Sequence, residues 1–423
     1  MTGDGKVYIK KLVYGGYGIA QEGDKTLFVE YAAPNEVVKV RTIKEKKDYA
    51  IGIVEEVILP SSVRRDPPCP YYGKCGGCQL QHIIYEEQLK AKKEILLETL
   101  NKIGKLRVKE LDGMLYANEF GGRIRAQFKS EKGSVGFYER MSHNLVDIEE
   151  CLLLHPEINK LIPSIRELSK KFPQIKEVHV NYSPSEDEAL LKLVVQEPVD
   201  KESVNKYTEH ILPKKVVGVG CYVRRGSGEL FKLWHIGRSF IFYNIGDMKL
   251  RVSIDSFIQV NHYLWEQFVQ KAMPDNQYER VLELHCGIGF FTLHLSKRSG
   301  FVFAYDANKS AVKDAEYNAR INRISNVSFE PLKALSALKK HAGDIIDLVF
   351  LDPPRSGLSE GEAKLIIQNK PKEIVYVSCE PTTFARDLKV LVEGGYSLKS
   401  LLLLDNFPNT YHIEAIAHLA FSQ

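Results

Sequence analysis

From about residue 278 onward the chain alternates between strand-like and helix-like runs, and this pattern limits its fold more than any other feature. The strand-like runs are RVLELH, FVFAYD, NVSFE, DLVFLD, EIVYVS and, near the end, IEAIAHLAF, with helix-like segments between the early ones. Parallel strands need long crossovers, and the crossover helices cover both faces of the sheet. The expectation is an α/β fold with a doubly wound parallel sheet. Ligands of such sheets sit in the crevice at the carboxyl ends of the strands.

Three features fall at those strand ends. ELHCGIGFFTLHL joins the first strand to a helix, and Gly287 and Gly289 let the backbone come close to a ligand. Asp306 closes the next strand, where a carboxylate can accept both hydroxyls of an adenosine ribose. Phe290, Phe291 and Thr292 follow Gly289, so no third glycine opens the helix for a pyrophosphate. That favours S-adenosylmethionine over a nicotinamide dinucleotide. DLVFLDPPRSG ends the fourth strand at Asp352, where the bland alternative is a helix cap or a loop salt bridge. EIVYVS runs into Cys379, placing a thiol where α/β folds keep their chemistry. A single cysteine is more often a small buried hydrophobe, and Glu414 read alone is a surface charge opening the last strand.

A length of 423 residues predicts two or three domains. Residues 1–60 carry short β-rich runs broken by Gly15, Gly16, Gly18 and Gly23, and five strands with glycine bends suit a small barrel of the oligonucleotide-binding type. Tyr14, Tyr17 and Phe28 beside lysines could stack on bases, and core packing explains them equally well. SSVRRDPPCP marks a boundary, because its prolines block regular structure. Residues 61–240 read as α+β, with a helix from about Tyr85 to Ile103 and strands RIRAQFK, EVHVNY and ALLKLVVQ. Residues 241–423 form the last unit. The helical part near 85–117 is the piece of the central region that could pack with it.

Net charge is +4, a weak pointer to nucleic acid. No apolar run is long enough to span a bilayer and MTGDGKVYIKK lacks a signal-peptide core, so a cytoplasmic protein is the expectation. Seven cysteines argue against a disulfide framework there, and Cys69, Cys75 and Cys78 crowd as metal or cluster ligands do.

Several motifs together resemble one family. SFIQVN (256–261), DPPRSG (352–357), YVSCEPTTFARD (376–387) and FPNTYHIE (407–414) look like those of the RNA 5-methyluridine methyltransferases. IKKLVYGGYGIA with APNEVVKVR resembles their RNA-binding TRAM barrel, and CPYYGKCGGCQLQH with GFYERMSHNLVDIEEC resembles their cluster-binding region. The resemblance covers nearly the whole chain. It implies S-adenosylmethionine-dependent methylation of uracil C5, with 23S rRNA as the expected substrate and transfer RNA (uridine 54) as the alternative. It implies Cys379 as nucleophile and Glu414 as general base, with Gln259, His285, Gly287, Gly289, Asp306 and Asp352 around the cofactor. It also implies that Cys69, Cys75, Cys78 and Cys151 hold a 4Fe–4S cluster, a ligand set that spacing alone does not separate from zinc. The C-x5-C-x2-C spacing differs from the C-x3-C-x2-C of radical S-adenosylmethionine enzymes. Cys221 and Cys286 are left as structural, and a monomer is expected.

The chain departs from the family pattern at four places: His285 for an aromatic, Phe290 for Asn, Asp306 for Glu, and Glu380 for Asn, the last expected to set another carboxylate near the thiolate. Competing readings are a nicotinamide oxidoreductase, a cytosine-C5 methyltransferase, and a non-catalytic RNA-binding protein with a degenerate methyltransferase domain. Intact Cys379 and Glu414 argue against the last of these.

Overall fold

The computed structural model describes residues 6–226 and 228–422; the first five residues of the expected N-terminal barrel lie outside the described residues. That N-terminal region has six strands rather than five, because the run before the first glycines splits into Lys6–Tyr8 and Lys11–Val13. The sheet curls round a small core in which Val7 and Ile9 meet Leu27, Val29 and Val38. Tyr17, Phe28 and Tyr49 pack edge to face along it. A central seven-stranded sheet contains the three expected strands, here Arg125–Glu131, Ile175–Ser183 and Glu188–Val195.

The elements that build the site are, in chain order, α1 (Tyr85–Lys102), β1 (Gly113–Leu115), β2 (Tyr278–Leu284), β3 (Ser299–Asp306), α2 (Lys309–Ile321), β4 (Val327–Pro331), β5 (Leu348–Leu351), α3 (Glu360–Asn369), β6 (Glu373–Ser378), α4 (Pro381–Glu393), β7 (Tyr396–Leu404) and β8 (Glu414–Phe421). The sheet order is β4-β3-β2-β5-β6-β8-β7-β1. Strands β4 to β6 are parallel, but β8 runs antiparallel to β6 and β7 antiparallel to β8. The sheet is therefore mixed, which corrects the all-parallel expectation. A short connection from β7 to β8 allows hairpin-like pairing, whereas a parallel return would need a crossover. The run YSLKSLLLL, not read as a strand from sequence, is β7.

Helix α1 belongs to this layer by packing. Its Leu96 and Leu100 are fully buried in one core with Phe384, Leu388 and Leu391 of α4. The three-residue strand β1 then adds to the edge of β7. The ribbon Phe240–Ile245 and Met248–Ser253 is held to α2, where Asp314 accepts from Arg251, Ser253 and Ser256. This bond network delivers the SFIQVN segment to the carboxyl ends of the parallel strands. Among the described residues no helix is long and apolar enough to cross a membrane.

Candidate active site

The ends of β2, β3, β5, β6 and the start of β8 converge on one crevice. The antiparallel ladder of β6 and β8 pairs Ser378 with Ala415 as its last step. Cys379 and Glu414 are the next positions in register, so neighbouring strands set thiol and carboxylate side by side. Glu414 is 3% exposed, which excludes a surface charge. Burial pushes its carboxyl up to about 8, Asp352 adding to the rise. Burial likewise raises the Cys379 thiol to about 11, with Glu414 and Asp352 adding and Arg355 opposing. A hydrogen bond from Arg355 favours the thiolate. Arg355 lies in the DPPRSG motif, but sequence reasoning gave it no role. The arginine of that motif, four residues past the end of β5, was the available signal.

Gln259 lies between the two halves of the site. Its Nε2 donates to Asp352 Oδ2 at 3.3 Å, and its own carbonyl holds the Trp265 indole N–H at 3.0 Å. Asn406, which sequence reading passed over, donates from Nδ2 to Glu414 Oε2 at 2.7 Å.

The glycine loop turns away from β2 through three left-handed residues, His285 (φ 63°), Gly287 (φ 55°) and Gly289 (φ 84°). Asp306 ties it down by accepting from the Gly287 N–H at 3.0 Å and the Asn308 N–H at 2.7 Å. Burial lowers the His285 imidazole, so the ring is a neutral wall. Phe290 packs against Trp265, Phe268 and Phe291 inside the core rather than facing the groove. Cys286 is also buried, in keeping with a structural thiol.

A further acid was missed. Glu283 sits within β2, is 1% exposed, and is raised by burial to about 8, with Asp352 and Asp306 contributing. Its Oε2 finds no partner among the described residues. The signal was a charge inside VLEL, a strand buried on both faces. Asp352 is itself raised by burial, and by Asp306, to about 7. Glu283, Asp352 and Glu414 are thus each raised by a neighbouring carboxyl as well as by burial, a repulsion that a cationic ligand relieves and an anionic pyrophosphate aggravates.

Glu380 corrects an expectation. It caps α4, accepting from the Thr382 hydroxyl at 2.7 Å, and its Oε2 accepts from the Tyr14 hydroxyl at 2.7 Å. Its carboxylate is engaged by the helix cap and by the N-terminal sheet rather than turned on the thiolate. Tyr14 also packs edge-on against Tyr411, so this one ring bridges two loops of the site.

Cys69, Cys75, Cys78 and Cys151 come from separated segments and line one cavity of about 360 Å³, with Phe137 and Ile148. Burial raises Cys78 to about 12 and Cys151 to about 11. Among the described residues no three His, Cys, Asp or Glu side chains are close enough to hold a single metal ion. Four thiol donors round one void have the chemistry and the room for a polynuclear iron–sulfur centre.

The model of the tRNA (uracil-5-)-methyltransferase family matches residues 84–420. An uncharacterized RNA methyltransferase of Aquifex aeolicus is 51% identical, the match covering 98% of each chain. Another, from Halalkalibacterium halodurans, is 33% identical over 98% of this chain and 96% of its own. Among solved structures, the Pyrococcus abyssi tRNA (uracil-54, C5)-methyltransferase in complex with S-adenosyl-L-homocysteine superposes with a TM-score of 0.79 at 25% identity, over 98% of this chain and 100% of the other.

Proposed function

The chain belongs to the tRNA (uracil-5-)-methyltransferase family and is an S-adenosylmethionine-dependent RNA methyltransferase, and on that premise we propose that it methylates uracil C5 through a covalent adduct on Cys379. The observation that carries the mechanism is the placement of Cys379 and Glu414 at the next step of the β6–β8 ladder, beside an acid-rich cofactor crevice.

Uracil C5 is a poor nucleophile until something adds at C6. The Cys379 thiolate forms an S–C6 bond and the displaced π electrons pass to the C4 oxygen as an enolate. C5 then attacks the methyl carbon of the sulfonium, whose S–CH₃ bond breaks to leave a neutral thioether. Glu414 takes the C5 proton. The C–H electrons restore the C5–C6 double bond, the S–C6 bond breaks and the thiolate leaves. Arg355 supplies the charge that favours the thiolate. The target base must be out of any stack to reach the thiol.

The crevice suits the donor. S-adenosylmethionine brings a sulfonium and an ammonium to Glu283, Asp306 and Asp352, and the ribose has Asp306. Gln259, fixed by Asp352, and the His285–Gly289 loop complete the pocket in this reading. In the cysteine-lined cavity, Cys69, Cys75, Cys78 and Cys151 would hold a 4Fe–4S cluster. When bound, such a centre supplies electron-transfer chemistry, which this methyl transfer does not use. The loops it would shape carry Gln79 and Gln81, which hydrogen-bond the active-site and cysteine segments.

For the RNA target, 23S rRNA follows from the resemblance of the motifs. The transfer RNA reading is favoured by a specific observation, the full-length likeness to an enzyme named for uracil 54 of tRNA. Methyl transfer to total RNA lacking 5-methyluridine, with the labelled species sized, separates the two. Label in large ribosomal RNA supports the first, label in tRNA the second, and label in neither contradicts both. In both readings of substrate the N-terminal sheet, proposed as the TRAM-like barrel of residues 1–60, supplies RNA contacts beside the central (61–240) and catalytic (241–423) units.

A further inference from the structure

Asn406 is 1% exposed and lies in the loop between β7 and β8. Its Nδ2 donates to Glu414 Oε2 at 2.7 Å and approaches Gln259 Oε1 at 3.5 Å. Gln259 in turn donates to Asp352 Oδ2 at 3.3 Å. Two amides thus separate two buried carboxyl groups, and each amide offers its NH₂ to one of them. Asn406 Nδ2 stands between two oxygen acceptors, and its Oδ1 has no partner among the described residues. Glu414 Oε1 accepts no hydrogen bond among the described residues.

The residues flanking Asn406 are anchored from another part of the chain. Lys92 of α1 pairs with Asp405 Oδ1 at 2.5 Å and donates to the Phe407 carbonyl at 2.9 Å, and the Tyr85 hydroxyl donates to Asp405 Oδ2 at 2.8 Å. Lys92 and Asp405 are both fully buried. A loop pinned on both sides of one residue presents that residue's side chain in a single direction.

We propose that Asn406 is a positioning residue that ties down one oxygen of Glu414 and leaves the other, Oε1, facing the C5 proton. This rests on the reading of Glu414 as the base of the methylation. A donor on Oε2 also favours the ionised carboxylate, the form that can accept a proton. The other titratable groups facing Glu414 are Asp352 from the end of β5 and Cys379 from the end of β6. Arg355 faces the thiol and lies 3.4 Å from the His412 ring, and Lys92 is neutralised by Asp405. None of these replaces the donor on Oε2. Loss of Asn406 therefore acts on the last step, proton removal, more than on methyl transfer.

The test uses the full-length enzyme and RNA lacking the modification, with Asn406→Asp, which conserves volume, and Asn406→Leu, which removes the polar group. Single-turnover methyl transfer and resolution of the denaturant-stable protein–RNA adduct are followed across pH. In both variants the expectation is methyl transfer within about threefold of wild type. Adduct resolution is slowed roughly tenfold to a hundredfold near neutrality, the size of a lost hydrogen bond to a charged group. Its acid limb moves to higher pH, and methylated adduct accumulates. A merely structural role would lower both steps together and leave the limb in place. Wild-type resolution rates and pH dependence in a folded Asn406→Asp enzyme would overturn the inference alone. No methyl transfer by the wild type would overturn the underlying reading and the inference with it.

Discussion

Cys379 and Glu414 occupy opposite positions one step past the Ser378–Ala415 pair, so the register of a single antiparallel ladder sets the distance between the proposed nucleophile and the proposed base. A slip of one residue in either strand would turn that strand's side chain to the other face and separate the two groups. The pairing of β6 with β8 is thus as much a part of the proposed mechanism as the two side chains. The two substitutions should fail differently. Cys379→Ala removes the sulfur proposed to add to C6 and should abolish both adduct and product. Glu414→Gln leaves addition and methyl transfer intact but slows release by about 10² to 10⁴-fold, the range for loss of a general base. Gel analysis of protein–RNA adducts checks this. Equal loss of adduct in both variants would count against the assigned roles.

The buried acids give a pH signature. Glu283 and Glu414 are raised by burial to about 8 and Asp352 to about 7, so the folded protein keeps protons that the unfolded chain releases. The folded state binds more protons between about pH 4 and 8, and the contribution of these groups to stability falls as pH rises through that window. A bound sulfonium donor offsets the emerging negative charge. The rise in melting temperature on adding S-adenosylmethionine should therefore grow from pH 6 to pH 8.5 and be smaller in Glu283→Gln. A shift that does not change with pH in the wild type would contradict the electrostatic account.

How much of this could be read from sequence follows the range of the interactions. The strand ends carrying Asp306, Asp352, Cys379 and Glu414 stand out because local hydrophobic runs mark strands and polar residues mark their ends. Asn406 does not, because its contacts with Glu414 across the loop and with Gln259, 147 positions away, exist only once the chain is folded. Lys92 reads as one of several lysines on a helix, and only folding places it against Asp405. The antiparallel β7–β8 pair was missed because an apolar run shows that a strand is buried, not which way it runs. Glu283 was legible in principle, as a charge in an otherwise apolar strand.

The Lys92–Asp405 pair should be costly to break. Both groups are fully buried, so Lys92→Met leaves Asp405 without its counter-charge and should destabilise the protein by about 3–5 kcal/mol. Denaturant unfolding measures this directly. A loss under about 1 kcal/mol, the range of an exposed pair, would show that Tyr85 and the loop hold Asp405 without help.

The cysteine-lined cavity makes a prediction about content. Full-length protein prepared without oxygen should contain iron and acid-labile sulfide, and Cys75→Ser should lose both. Retained methyl transfer in a folded Cys75→Ser protein would show that the chemistry does not need the centre. Wild-type protein carrying zinc and no sulfide would refute the cluster assignment.

The central claim is tested most directly by methyl transfer from labelled S-adenosylmethionine to total RNA lacking 5-methyluridine, using wild type and Cys379→Ala, with the product nucleoside identified. The account predicts label in 5-methyluridine with the wild type and none with the variant. Label in any other nucleoside, or 5-methyluridine formed equally by Cys379→Ala, would contradict it.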